Sequence, residues 1–296
     1  MCQVGEGPLW HAEEERVYWT DILAGCLHWY DLRLGTRGQS DIGRPVGGFT
    51  LQTDGSLLLF LDKGTVVNWR DGSIIGTLIT EVPEQRGRRF NDVIADPHGR
   101  VFCGILGDHT KCDDVLYRLD LDGSLAVVED GVGTSNGMGF SPDLKRFYFT
   151  DTTIDTIWIY DYDRRTSSIS NRRKFVNLSK EQIKPDGMTV DENGDVWSAM
   201  ALGGCVIRYS PEGKERERIE FPCKLITSVT FGGKKLDRLF VTSGMGHQRG
   251  LEWGDLAGSL FKVDPGVRGI PEFQSRAIVE VLHPSFGQEK GDGKAP

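Results

Sequence analysis

One phrase recurs along most of this 296-residue chain and limits its fold more than any other feature. Its clearest copy is Asp186-Gly187-Met188-Thr189-Val190-Asp191-Glu192-Asn193-Gly194: a polar residue, an alternating apolar run, then a tight-turn pair. Asn136-Gly137-Met138-Gly139-Phe140-Ser141, Asn91-Asp92-Val93-Ile94-Ala95-Asp96 and Glu6-Gly7-Pro8-Leu9-Trp10-His11 repeat it, and weaker versions begin at Gly47 and Thr227. The leading positions are therefore Glu6, Gly47, Asn91, Asn136, Asp186 and Thr227, at steps of 41, 44, 45, 50 and 41 residues.

Within each unit, short runs rich in Val, Ile, Phe, Tyr and Trp alternate with turn residues, and few segments show helical periodicity. Arg16–Asp21 with Cys26–Asp31, and Arg146–Asp151 with Thr156–Asp161, are typical pairs of such runs. Turn pairs at Asp54-Gly55, Asp71-Gly72, Asp122-Gly123, Asn193-Gly194 and Glu212-Gly213 separate them. About four strands in roughly 45 residues is the period of a propeller blade. The expectation is an all-β, six-bladed β-propeller in one domain over residues 1–283, with a disordered tail over 284–296. The long excursions at 104–114, 164–184 and 244–258 are expected lids, and Trp19, Trp29, Trp69, Trp158 and Trp197 are expected core residues.

In a propeller the first strand of each blade lines the central channel, so six leading residues far apart in sequence meet at one mouth. Here they comprise two carboxylates (Glu6, Asp186), two amides (Asn91, Asn136), a hydroxyl (Thr227) and a glycine. Converging oxygens without His or Cys suit a hard divalent cation. Asn136-Gly137 and Asp186-Gly187 are also ordinary turn dipeptides. A separate turn signal follows each at the far end of its strand, however, and one turn does not need two signals.

Charged residues make up 26% of the chain and the net charge is -8, which argues against nucleic acid and anionic membrane as partners. No apolar run reaches the roughly 18 residues of a membrane span, and the N-terminus shows no secretory pattern. The six cysteines lack C-x-x-C spacing and read as reduced thiols of a cytoplasmic protein. The sequon Asn177-Leu178-Ser179 then meets no glycosylation machinery. Gly133-Thr134-Ser135-Asn136-Gly137 matches a nucleophile elbow in letters but lacks the following helix. Asp120-Leu121-Asp122-Gly123 reads as a hairpin turn rather than an EF-hand loop.

Five motifs in order, Gly5-Glu6-Gly7-Pro8-Leu9-Trp10, Arg89-Phe90-Asn91-Asp92, Ser135-Asn136-Gly137, Pro185-Asp186-Gly187-Met188 and Gly258-Ser259-Leu260-Phe261, resemble the regucalcin and gluconolactonase (senescence marker protein) family. The resemblance runs from Gly5 to about Ile270. It implies a six-bladed propeller with one divalent metal at the channel mouth and hydrolysis of sugar lactones; related enzymes cleave organophosphates. Carried over by position, it makes Glu6, Asn136 and Asp186 metal ligands. Asn91 is placed beside the metal and Arg89 on the substrate, and Thr227 is not required. Asp186, or another acidic group near the metal, would act as base. Ca²⁺ is the first expectation for the cation, with Mg²⁺, Mn²⁺ and Zn²⁺ also accepting such donors. The rival readings are a phosphotriester hydrolase and a non-catalytic calcium-binding propeller, and the oligomeric state is left open.

Two positions depart from the family pattern. Val93 follows the Asn-Asp pair where Gly is common, and only five residues precede Glu6. Ring closure by a longer N-terminal segment is therefore replaced, on this expectation, by Ser275–Leu282, unless the chain shown is shortened.

Overall fold

The computed structural model describes residues 1–108, 110–246 and 252–277. Its strands form six antiparallel sheets, each a simple meander of consecutive strands. The first blade holds β1 (Gly5–His11), β2 (Arg16–Asp21), β3 (Cys26–Asp31) and β4 (Thr36–Asp41). The second holds β5 (Val46–Leu51), β6 (Leu57–Leu61), β7 (Val66–Arg70) and β8 (Ser73–Ile79). The third holds β9 (Arg89–Ala95), β10 (Val101–Leu106), β11 (Asp114–Leu119) and β12 (Leu125–Val132). The fourth holds β13 (Ser135–Phe140), β14 (Arg146–Asp151), β15 (Thr156–Asp163) and β16 (Ser168–Asn177). The fifth holds β17 (Lys184–Val190), β18 (Val196–Ala201), β19 (Cys205–Tyr209) and β20 (Glu215–Glu220). The sixth has three strands among the described residues, β21 (Ile226–Gly232), β22 (Arg238–Ser243) and β23 (Phe261–Val263).

Each first strand packs against the first strand of the next blade, and β21 packs against β1, so the six blades close into a β-propeller. Burial follows the radius. All six residues of β5 and all five of β6 are buried, while β20, Glu-Arg-Glu-Arg-Ile-Glu, is largely exposed. That gradient explains why inner strands read as continuous apolar runs and outer ones as polar, since only the outer strands border water. Aromatic side chains fill the wedges between blades. Phe102 of blade three meets Phe147 of blade four at 4.8 Å between ring centres, and Tyr162 of blade four meets Phe102 at 6.4 Å, joining the two blades. Burying one such ring is worth about 1.5–3 kcal/mol. Trp19, Trp69 and Trp197 are buried as expected. Trp29 and Trp158 are half-buried under Arg16 and Arg172, at 4.5 and 4.8 Å.

Two expectations change. About half of the excursion 164–184 is strand β16, pairing with β15, which leaves only a short loop before Lys184. Ser275–Ala277, the described part of the expected closing segment Ser275–Leu282, lies away from the seam. Ser275 pairs with Gln52 of blade two, and Arg276 N–H donates to the Gly99 carbonyl of blade three at 2.9 Å. With Gly269 paired to Asp191, residues 269–277 cross the face opposite the leading residues. The seam is held instead by the Val4–Gly244 bridge and by the Cys2 N–H bond to the Gly258 carbonyl at 2.8 Å. His109, 247–251 and 278–296, which include the rest of the expected closing segment and the proposed tail at 284–296, lie outside the described residues.

Candidate metal centre at the channel mouth

Every inner strand breaks register at its leading residue. The irregularities fall between Glu6 and Leu9, Val46 and Gly48, Phe90 and Val93, Asn136 and Met138, Pro185 and Met188, and Ile226 and Ser228. An inserted residue bends the strand and re-aims its side chain. The sixfold repetition turns the leading side chains toward the channel mouth, where plain alternation along a strand would not.

Glu6, Asn91, Asn136 and Asp186 are all brought there and are all buried. Their amides form a chain. Asn91 Nδ2 donates to Asn136 Oδ1 at 2.5 Å and to the Ser135 carbonyl at 2.6 Å. Arg89 Nη1 donates to Asn91 Oδ1 at 2.5 Å, so the Asn91 amide is engaged at both ends, while the half-buried guanidinium keeps other donors free. Asn136 Nδ2 donates to Thr152 Oγ1 at 2.7 Å, which turns Asn136 Oδ1 toward the mouth with one lone pair to spare.

Two leading positions do not join. The Thr227 hydroxyl donates to the Gly5 carbonyl and lies 2.9 Å from Thr242 Oγ1, tying β21 to β1. Gly47 is glycine because a Cβ there would stand 1.9 Å from the Phe90 carbonyl oxygen.

Asp92 and Thr152 belong to the site although the sequence singled out neither. The bulge in β9 places Asn91 and Asp92 consecutively at the lumen, so the period-two rule hides the second of them. The signal that was available is the Asn-Asp pair opening an apolar run. Thr152 comes from the turn after β14, outside the repeated phrase, and carries no sequence signal.

The electrostatics of the mouth would suit a cation. Glu6 Oε2, Asp92 Oδ1 and Asp186 Oδ1 are buried without any hydrogen-bond partner among the described residues. Such orphaned acceptors are uncommon in folded proteins and call for an explanation. Burial first, and then their mutual repulsion, pushes the Glu6 and Asp186 carboxyls well above the ordinary range. Burial pushes Asp92 up to about 7. Arg89 is lowered by burial to about 10 and is pulled back by Glu6, Asp92 and Asp186. One guanidinium among three carboxylates leaves a deficit of positive charge. A divalent ion with Glu6, Asn136 and Asp186 as oxygen donors fits that deficit and the orphaned atoms.

Residues 4–245 match the SMP-30/gluconolactonase/LRE-like region family. The chain is 46% identical over 281 residues to pentonolactonase XacC of Haloferax volcanii, covering 93% of this chain and 95% of that protein. It is 34% identical to bovine regucalcin, covering 92% and 94%. Among solved structures, a luciferin-regenerating enzyme superposes with a TM-score of 0.86 at 28% identity, over 93% of this chain and 96% of that one. A calcium-binding regucalcin from Agrobacterium tumefaciens gives 0.82 at 24% identity over 93% of each chain, a likeness of fold. The match spans most of the chain and includes all six leading residues: the chain belongs to the SMP-30/gluconolactonase/LRE-like family.

Proposed function

We propose that this protein hydrolyses a sugar-derived lactone, an aldonolactone of five or six carbons, to the aldonic acid with the help of one divalent cation. The observation that carries the reading is the set of orphaned buried carboxylate oxygens of Glu6, Asp92 and Asp186 beside the Asn91–Asn136 pair and Arg89. Kinship with a pentonolactonase at 46% identity supports the substrate class.

Glu6, Asn136 and Asp186 would hold the ion, with Ca²⁺ the first choice for an all-oxygen donor set. When bound, the cation supplies Lewis acidity at the lactone carbonyl oxygen. Arg89 presents its remaining donors to the sugar hydroxyls and fixes the ring. Asn91 is locked between Arg89 and Asn136, and it transmits the position of one to the other. Asp186 receives a proton from the attacking water. The water oxygen bonds to the carbonyl carbon, the ring C–O bond breaks, and the proton passes to the departing alkoxide to make the hydroxyl of the acid. Asp92 lies next to Asp186 with an unengaged oxygen, and it takes the proton if the ion's charge leaves Asp186 too weak a base.

No helix among the described residues is long and apolar enough to cross a membrane. The six cysteines are unpaired, in keeping with the proposed cytoplasmic setting.

The test is a panel of aldonolactones and a fluorophosphate, assayed on chelated protein resupplied with Ca²⁺, Mg²⁺, Mn²⁺ or Zn²⁺. Acid release from a lactone, restored by a metal, is the expected result. Turnover of the fluorophosphate alone, or cation binding with no turnover of any lactone, sinks the proposal.

A further inference from the structure

We infer that Cys2, Asp21 and His28 form a second metal site, for a borderline-soft divalent ion such as Zn²⁺, at the seam where the ring closes. The three donor atoms lie within 4.8 Å of one another. Zinc bonds of about 2.0–2.3 Å in a tetrahedron would bring such atoms to roughly 3.3–3.7 Å apart, a closure within reach of small side-chain movements.

The surroundings are already ordered for ligation. Trp19 Nε1 donates to Cys2 Sγ at 3.4 Å, and the Trp19 ring stacks on His28 at 5.3 Å with a 16° angle between planes. The Gln3 and Val4 N–H groups donate to Asp21 Oδ2 and Oδ1 at 2.8 and 3.1 Å. Each carboxylate oxygen still keeps a lone pair. Outer hydrogen bonds of this kind orient metal ligands and sharpen their donor strength. The ring nitrogens of His28 make no hydrogen bond among the described residues, so a nitrogen is free to bind. Cys2 and Asp21 are buried. Cys2, Trp19 and His28 also wall a cleft of ≈ 750 Å³ between blades one and six, which leaves room for a fourth ligand.

The donor chemistry differs from that of the mouth. A thiol, an imidazole and a carboxylate select Zn²⁺ over Ca²⁺, whereas the all-oxygen set at Glu6, Asn136 and Asp186 has the opposite preference. Position gives the site a role. Cys2 donates its N–H to Gly258 and its carbonyl accepts from Met245, both of them following β22 in the last blade. Asp21 pairs with Gly5, next to Glu6. An ion here would pin residues 2–5 to blade one and brace the seam.

The test uses Co²⁺ and Zn²⁺ on the chelated full-length protein, with Asp186→Ala as a background that disables the mouth. In that background one equivalent of Co²⁺ should bind and give the near-ultraviolet thiolate charge-transfer band. Cys2→Ser should abolish the band, and His28→Gln should weaken Co²⁺ binding at least tenfold. Asp186→Ala should hold one equivalent of Zn²⁺ and Asp186→Ala with Cys2→Ser none. Zn²⁺ should raise the melting temperature of Asp186→Ala and not of Asp186→Ala with His28→Gln, a readout that survives if Cys2→Ser folds poorly. A missing band, a band that persists in Cys2→Ser, or equal Zn²⁺ stabilisation with and without His28 overturns the inference. None of these outcomes depends on catalysis at the mouth.

Discussion

Asn136 donates its side-chain nitrogen to the Thr152 hydroxyl at 2.7 Å, and that hydroxyl is itself committed to the Pro185 carbonyl at 2.6 Å. The Thr152 proton is used up on Pro185, so its oxygen can only accept from Asn136. The amide is thereby held with its oxygen toward the mouth, and β13 is joined to the strand that carries Asp186.

Replacing Thr152 with Val keeps the shape and removes this constraint. Asn136 can then rotate, and cation affinity should fall about 10–100-fold, the usual effect of losing an outer partner of a metal ligand. Thr152→Ser should retain most of the affinity. Calorimetric titration of chelated protein measures both, and equal affinity in Thr152→Val and wild type would remove Thr152 from the site.

Glu6→Gln and Asp186→Asn preserve volume while deleting one charge each. Because repulsion and burial destabilise these carboxylates in the metal-free protein, either change should raise its melting temperature. The same change should cost most of the cation binding and lactone turnover. Thermal melts with and without cation read both effects, and a variant that loses stability in chelator contradicts the charge assignment.

Among the described residues, Arg89 is the cation facing Glu6, Asp92 and Asp186. Arg89→Gln should leave the ion bound at least as tightly, since a repelling charge is gone, yet lower kcat/KM tenfold or more through lost contact with substrate. Weaker ion binding in this variant would show that Arg89 acts by ordering Asn91 rather than by touching the sugar.

The pH dependence follows from the same three carboxyls. Each is raised in the folded, metal-free protein, so its contribution to stability is present below the unfolded value and is lost as pH rises through the folded one. For Asp92 that window runs from about 4, the ordinary aspartate value, up to about 7. Metal-free protein should therefore lose melting temperature from about pH 4 to pH 7, while the stabilisation by added cation grows over the same interval. Identical pH curves with and without cation would contradict this.

Much of the architecture was legible because the repeat imposes it. The turn glycines Gly55 and Gly194 adopt φ of +82° and +83°, a conformation that Asp-Gly and Asn-Gly pairs announce. The convergence of Glu6, Asn136 and Asp186 at one mouth was legible because each opens its own copy of the phrase. Thr227 sits in the same register and still serves the backbone, since a hydroxyl beside the Gly5 carbonyl has a stronger local partner than a distant ion. Asp92 was hidden by a bulge, which composition does not mark, and Thr152 by lying in a turn outside the repeat. The crossing of residues 269–277 over the opposite face rests on long-range packing of Ser275 against Thr50, with side-chain oxygens 2.7 Å apart, and no local pattern encodes it.

Gly47 offers the sharpest test of how the scaffold holds the site. A methyl group there would fall 1.9 Å from the Phe90 carbonyl oxygen and 2.4 Å from its carbon, and both are backbone atoms. No side chain can turn aside to make room, so β9 itself must move, and with it Arg89, Asn91 and Asp92 on either side of Phe90. Forcing one methyl group into a packed site costs about 1–3 kcal/mol, occasionally more, and the rigid neighbour places Gly47→Ala at the upper end. For a chain of this size that is a fall of roughly 5 °C in melting temperature. Displacing β9 also breaks the 2.5 Å contact between Asn91 and Asn136, so cation affinity should fall along with stability. A Gly47→Ala protein that melts normally and binds the ion normally would mean that the blades can slide apart at the mouth without disturbing it.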